Sequence, residues 1–375
     1  GIEILNAAGI PVYSTPEQAV RAFMYLVHYA RNKAILYDTP RDVPVSFTPD
    51  RDRCREMVGQ HTRELLLECE SKELLRSYGI PVTRPNVATT ADEAVALARE
   101  IGFPVVLKIH SRQITHKTDV QGVAVNLTTE DGVRAHFDRI VAAAHEHRPD
   151  AVVEGVTVQK MIVAPFGIEM ILGTKKDPTF GTILMVGMGG TATVVIYDRA
   201  LGLPPLNERL ARRMLESLRS WPLLLGYRGK PRVDIDALIE IIMRLSYLAA
   251  DYPEVRELDV NPLLVTPQDV IALDARIQVD DVGPVHAPHS YSHLAICPYP
   301  EEFVTQATLK DGTRIVLRPI RPEDEPRWRD FLSECSDESI RLRFRALFER
   351  SSHDVATRYC FLDYDREMSV VAESR

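Results

Sequence analysis

The sequence predicts a mixed fold, α/β or α+β, built as more than one folding unit. Three observations lead there. Strand-like and helix-like stretches alternate between residues 61 and 280. Helix-capping signals and turn residues separate them. The 375 residues also exceed one ordinary domain of about 100–200 residues.

The chain opens with a short extended run, Ile10-Pro-Val-Tyr13, and then a helix start. Thr15 can cap that helix, Pro16 suits its first position, and Gln18 can complete a capping box. Ala19, Val20, Ala22, Phe23, Leu26 and Val27 then recur at helical spacing, which predicts a buried stripe. Residues 39–56 are rich in proline and charge and lack a period, as a linker would be. Beyond it, Glu64–Tyr78 has helical spacing, and Gly79-Ile-Pro-Val82 turns toward a strand. Thr90 and Glu93 open a helix running to Arg99, and Val105–Ile109 is an apolar strand interrupted by Lys108. A second proline-rich stretch, 281–303, holds His286, His289 and His293, a candidate metal group with no helix or strand to anchor it. After it, Thr308–Leu317 is a hairpin around Asp311-Gly312. Helices at Pro322–Leu332 and Asp337–Ala346 and a strand at Met368–Val371 complete the series.

Composition narrows the function. The chain is 45% hydrophobic and 26% charged, as ordinary globular proteins are, and its net charge of −8 speaks against a general nucleic-acid binder. No stretch approaches the roughly 20 apolar residues of a membrane span. The start, Gly1-Ile-Glu-Ile-Leu5, lacks a signal-peptide layout and an initiator Met, so an excerpt or a processed product is expected. Five scattered cysteines without metal-type spacing suit a reducing compartment, and a cytoplasmic location is expected.

Three groups of residues carry chemistry. Lys108 ends an apolar strand just before a loop bearing His116, Lys117, Thr118 and Gly122. A point charge on a rigid element suits polyphosphate, although a lysine snorkelling from a strand end has the same local sequence. Gly187-Met-Gly189-Gly190 could let backbone amides approach a phosphate, or could simply be a tight turn. Asp259, Asn261 and Asp274 lie in strand-like stretches about one hairpin apart. An amide oxygen and a carboxylate placed side by side there would suit magnesium, a hard cation that takes few ligands from protein.

The order of these groups is where a family likeness emerges. Residues 61–280 resemble the ATP-grasp domain of the NDP-forming acyl-CoA synthetases, relatives of succinyl-CoA ligase. The matching stretches include Glu70-Ser-Lys-Glu-Leu-Leu, Gly102-Phe-Pro-Val-Val-Leu-Lys108, His116-Lys-Thr-Asp, Val158-Gln-Lys-Met161, Asp177-Pro-Thr-Phe-Gly181, Gly187-Met-Gly-Gly190 and Glu257-Leu-Asp-Val-Asn-Pro-Leu263. Two α+β subdomains clasping a nucleotide are thereby implied. Residues 1–38 resemble the end of a flavodoxin-like CoA-ligase domain. Residues 306–375 resemble the start of a GNAT acetyltransferase, through Leu317-Arg-Pro-Ile-Arg-Pro-Glu-Asp324. Linkers at 39–60 and 281–305 would separate the three, both outer domains being incomplete.

The resemblance implies roles. Lys108 and Lys117 would meet nucleotide phosphates, and Val158, Gln159, Lys160 and Met161 would form the hinge that reads adenine. Glu169 would face ribose or phosphate, with Gly187, Gly189 and Gly190 lining the same site. Asn261 and Asp274 would hold magnesium, with Asp259 behind them. His116 would be the catalytic residue that carries a phosphoryl group. ATP or ADP, magnesium, and CoA or acyl-CoA are the implied ligands, in an acid–CoA ligase that could be oligomeric. Protein lysines would be substrates of a complete acetyltransferase domain. One departure stands out: Thr193-Val194-Val195 replaces a stretch that contains a glutamate in the family. It favours the alternative of a silent sensor of nucleotide and acyl-CoA that regulates the acetyltransferase.

Overall fold

The computed structural model describes residues 2–36, 47–60, 65–114, 116–190, 197–280, 291, 293–345 and 352–374. The chain divides into two compact units, one made of residues 1–42 and 297–375 and the other of residues 43–296.

In the first unit, helices α1 (Ile2–Ala7) and α2 (Pro16–Leu36) open the chain. The strand expected at residues 10–13 is not formed, because an isolated extended run has no ladder to satisfy its backbone. Thr15 caps α2 as expected, accepting from the Gln18 amide at 3.3 Å. The predicted stripe is not buried, however: Val20, Phe23 and Leu26 are exposed. Helical periodicity sorts a helix's faces, and only a covering element buries one of them.

The second unit holds the larger part of the fold. Residues 51–60, expected as linker, form helix α3 (Arg51–Gln60), and its Cys54, Met57 and Val58 enter the core. Helix α4 (Glu68–Ser77) starts later than the expected Glu64. Glu70 turns back to accept from the Leu67 amide at 2.7 Å, and Leu66 donates instead to the Ile277 carbonyl. Gly79 follows at a φ of +70° and closes that helix, in a conformation glycine tolerates. Val82 then makes one bridge to Ala272 rather than a strand.

Next come β1 (Asn86–Ala88), α5 (Ala91–Ile101), β2 (Val105–His110), β3 (Val123–Leu127), α6 (Glu130–His147) and β4 (Gly155–Lys160). Thr90 caps α5 by accepting from the Glu93 amide, as the sequence predicts. These strands make an antiparallel sheet in the order β1-β4-β2-β3. Strand β2 is buried along its whole length, and Val105, Leu107 and Ile109 pack with Ala94, Ala98, Val133 and Ile140 of the helices in an apolar core. Full burial of such aliphatic side chains contributes about 1.5–3 kcal/mol each.

A second sheet follows. Its strands are β5 (Ile168–Asp177), β6 (Gly181–Met188), β7 (Arg199–Gly202), β8 (Val255–Val265), β9 (Val270–Ala272) and β10 (Ala275–Val279). They run antiparallel in the order β10-β8-β5-β6-β7, with β9 beside β8. Helices α7 (Glu208–Glu216) and α8 (Ile235–Asp251) cover one face, and Leu238, Ile242, Leu245 and Leu248 of α8 centre its core. Every pairing between named strands is antiparallel, so the unit is α+β.

The remainder of the first unit is a three-stranded sheet, β11 (Thr305–Thr308), β12 (Arg314–Pro319) and β13 (Val370–Ser374). The hairpin expected at Asp311-Gly312 is present, with Asp311 accepting from the Thr313 amide at 2.9 Å. Helices α9 (Glu325–Glu334), α10 (Asp337–Phe344) and α11 (His353–Cys360) accompany it. Arg318 ties β12 together through both carboxylate oxygens of Asp324 and through Glu373.

Candidate functional site

Strand alternation decides where Lys108 points. Leu107 and Ile109 face the apolar core, so Lys108 faces the other way, although its strand is buried on both faces. A buried ammonium needs acceptors. Lys108 Nζ donates to Glu68 Oε1 at 2.8 Å and to the Leu273 carbonyl at 3.0 Å, and lies 3.3 Å from Asp274 Oδ2. Lys117 reaches Glu68 Oε2 and lies 3.3 Å from Asp274 Oδ1. The lysines come from β2 and the loop after it, whereas Asp274 comes from the corner between β9 and β10.

Glu68 and Lys72 complete the cluster, one turn apart on α4. Lys72 is 1% exposed, and its Nζ bonds Glu68 Oε1, Thr83 Oγ1, Gln159 Oε1 and the Leu273 carbonyl at 2.7–2.9 Å. Three ammonium groups thus share two carboxylates, leaving an excess of positive charge in a poorly solvated place. Burial alone would raise the Glu68 pKa, but Lys108, Lys117 and Lys72 outweigh it and hold the carboxyl well below its usual range. Burial pushes Lys72 down to about 8 against the pull of Glu68. Lys117 is shifted the other way: burial opposes its charge, yet Glu68 and Asp274 raise its pKa.

Beside the cluster is a cavity of about 390 Å³, lined by Glu68, His116, Lys117, Asn261, Asp274 and Asp259 among others. Asn261 sits on β8, and its backbone N–H donates to the Asp274 carbonyl at 3.3 Å. Strand register sets Asp259 opposite Arg276, and burial raises the Asp259 carboxyl. The amide oxygen of Asn261 and the carboxylates of Asp274 and Asp259 are all hard donors, few enough to leave room for water and phosphate, so the set fits magnesium. His116 is exposed on the cavity wall. A larger hollow of about 860 Å³ lies against residues 162–167 and α8, and none of these groups lines it.

The other predicted residues lie apart from this cavity. Val158 is fully buried on β4, paired with Asn86 and Leu107 on its two sides. Gln159 joins the cluster through Lys72, while Lys160 bonds the carbonyls of Gly102 and Phe103 at 2.7 and 3.0 Å. The Met161 amide donates to the Pro104 carbonyl. Glu169 forms a second group with the glycines: its carbonyl accepts from the Gly189 amide at 2.7 Å, and its carboxylate approaches Gly190. Gly187 lies on β6 beside Asp198 and Arg199. Glu169, Gly187, Gly189 and Gly190 are all absent from the cavity wall that holds Lys117.

Thr193, Val194 and Val195, with His286 and His289, lie outside the described residues. His293 is half-buried, and among the described residues no group of three or more His, Cys, Asp or Glu could hold a metal. No described helix is long and apolar enough to cross a membrane. Sequence reasoning missed Glu68 and Lys72 as site residues. The one local signal, an acid and a base four residues apart on α4, equally marks an ordinary exposed ion pair, although the neighbouring Ser71 and Leu75 on that face are buried.

Comparison with known proteins identifies the family. A model of the ATP-grasp domain matches residues 57–279. The beta subunit of the ADP-forming acetate–CoA ligase I of Pyrococcus furiosus is 40% identical over 227 residues, 60% of this chain and 97% of that subunit. The ADP-forming acetate–CoA ligase I of Archaeoglobus fulgidus is 37% identical over 281 residues, 73% of this chain but 39% of that protein. The chain therefore spans nearly all of the separate subunit and well under half of the longer enzyme. Among solved structures, acetyl-coenzyme A synthetase 1 of Ca. Korarchaeum cryptofilum, in complex with coenzyme A and Ca-AMPCP, has a TM-score of 0.58 and 39% identity, over 61% of this chain and 99% of that one. A complex of the same synthetase with coenzyme A and Mg-AMPPCP, its phosphohistidine segment pointing toward the nucleotide site, scores 0.52 at 36% identity, over 60% and 99% of the two chains.

Proposed function

Since this chain belongs to the ATP-grasp family over residues 57–279, and there resembles the ADP-forming acyl-CoA synthetases, we propose that it binds ATP or ADP with magnesium as the phosphoryl-transferring part of an acid–CoA ligase. The observation that carries this reading is the meeting of Lys108 and Lys117 with Asp274, beside a cavity that Lys117, Asp274 and Asn261 line.

In this reading the Lys108 and Lys117 ammonium groups grip phosphate oxygens, and Glu169 with Gly187, Gly189 and Gly190 stands further along the nucleotide. Val158, Gln159, Lys160 and Met161 supply the hinge. Asn261 and Asp274 hold the magnesium, which when bound neutralises phosphate charge. His116 takes the phosphoryl group: an imidazole nitrogen bonds the terminal phosphorus, the bond from that phosphorus to the bridging oxygen breaks, and ADP leaves. The group then passes to a carboxylic acid, and CoA displaces phosphate from the acyl phosphate. The exposure of His116 on the cavity wall supports its part.

The flanking assignments belong to the same proposal: a CoA-ligase end at 1–38, linkers at 39–60 and 281–305, a GNAT start at 306–375 with protein lysines as its substrates, and a cytoplasmic location. A second reading, a silent sensor of nucleotide and acyl-CoA that controls the acetyltransferase, is favoured by Thr193-Val194-Val195. Terminally labelled ATP, incubated with the full-length protein and an acyl-CoA, separates the two. The ligase reading expects an acid-labile, base-stable label that His116→Ala abolishes; an unlabelled protein that still binds ADP supports the sensor.

A further inference from the structure

The mechanism above uses Lys108, Lys117 and Asp274, yet the carboxylate that organises them is Glu68. It is 6% exposed, occupies the first position of α4, and splits its contacts. Oε1 accepts from Lys72 at 2.7 Å and Lys108 at 2.8 Å, while Oε2 takes Lys117. Asp274 is held by the same ammonium groups at longer range: Lys108 lies 3.3 Å from Oδ2, and Lys117 donates to Oδ1 at 3.3 Å and to Oδ2 at 3.5 Å. Asp274 has a second demand on it, since its carboxylate belongs to the oxygen set that suits magnesium. A carboxylate closely paired with two ammonium groups is a poor cation ligand, because the lysines occupy its lone pairs and cancel its charge.

We propose that Glu68 is a positioning residue that competes with Asp274 for Lys108 and Lys117, loosening their hold on the Asp274 oxygens so that a magnesium ion can take those oxygens over. Lys72 is the rear anchor of the device. It is saturated by Glu68, Thr83, Gln159 and the Leu273 carbonyl, and is too deep to touch a ligand. Its bond to Leu273 also fixes the backbone that carries Asp274. The inference rests on the nucleotide-binding reading of this cavity and adds a division of labour among its carboxylates.

The test is titration calorimetry on the whole chain, with ADP as ligand, across a magnesium series and in chelator. Glu68→Gln keeps the shape and removes the charge, so the lysines fall back on Asp274. The magnesium concentration giving half of maximal binding is then expected to rise about tenfold or more, while ADP affinity in chelator changes less than threefold. Equal losses with and without magnesium would overturn the proposal, as would an unchanged magnesium requirement. Should Glu68→Gln fail to fold, Glu68→Asp decides: its retracted carboxylate is expected to raise the magnesium requirement at least threefold, and no rise overturns the proposal. Wild-type chain that binds ADP in neither condition would instead refute the nucleotide reading itself.

Discussion

The two sheets of the central unit bring opposite chemistry to one cavity. The four-stranded sheet contributes two ammonium groups, Lys108 on β2 and Lys117 in the following loop, and the His116 imidazole; Lys117 and His116 line the cavity. The six-stranded sheet contributes oxygen donors: Asp259 and Asn261 on β8, and Asp274 at the corner just before β10. Each sheet has its own apolar core. What joins them is a buried polar cluster, in which Glu68 and Asp274 answer three lysines. The segregation suits a ligand that is both polyanion and metal complex, because one wall offers ammonium groups and the other offers hard oxygens.

That contrast can be broken from either side. The largest effect is expected from Glu68→Gln, which strips three buried ammonium groups of their shared counter-ion. Stability should fall by about 3–5 kcal/mol in urea unfolding, the usual consequence of leaving a buried charge unpaired. Lys108→Met comes next. Losing a charged donor to phosphate should weaken magnesium–ADP binding by roughly 2–3 kcal/mol in calorimetry, with the fold retained because a methionine fills the same space. On the opposite wall, Asp274→Asn should cost about tenfold in magnesium-dependent binding and little in chelator, checked by the same titrations.

Acid sharpens the comparison further. The folded pKa of Glu68 lies below its ordinary value of 4.5, so its contribution to stability is whole above that pH and is lost as pH falls toward the folded value. Melting curves of the wild type should therefore fall steeply below pH 4.5, and Glu68→Gln should flatten that limb. At the small end stands Arg99–Glu130, a pair between α5 and α6 with both side chains well exposed. Arg99→Gln should leave the melting midpoint unmoved, since water and salt screen such pairs.

How much of this the chain spells out locally follows the same division. Capping at Thr90, the Asp311-Gly312 turn and the apolar run around Lys108 are short-range signals, and each forms as read. Lys108, Asn261 and Asp274 could be singled out because charged or amide groups stand out in strand-like text. Glu68 and Lys72 could not: four residues apart on a helix, they look like an ordinary exposed pair until β2, β4 and the Leu273 backbone close over them. The same limit explains residues 10–13 and α2. Periodicity states which face could be buried, but a strand needs a neighbour and a stripe needs a cover, and neither is written in the local sequence.

The central claim, that the two sheets clasp one nucleotide, is met most directly by a double-mutant cycle on magnesium–ADP affinity with Lys108→Met, Asp274→Asn and the pair. Groups that grip the same bound complex from opposite walls should couple by about 1 kcal/mol or more. Strictly additive losses, or binding that neither substitution weakens, would contradict it.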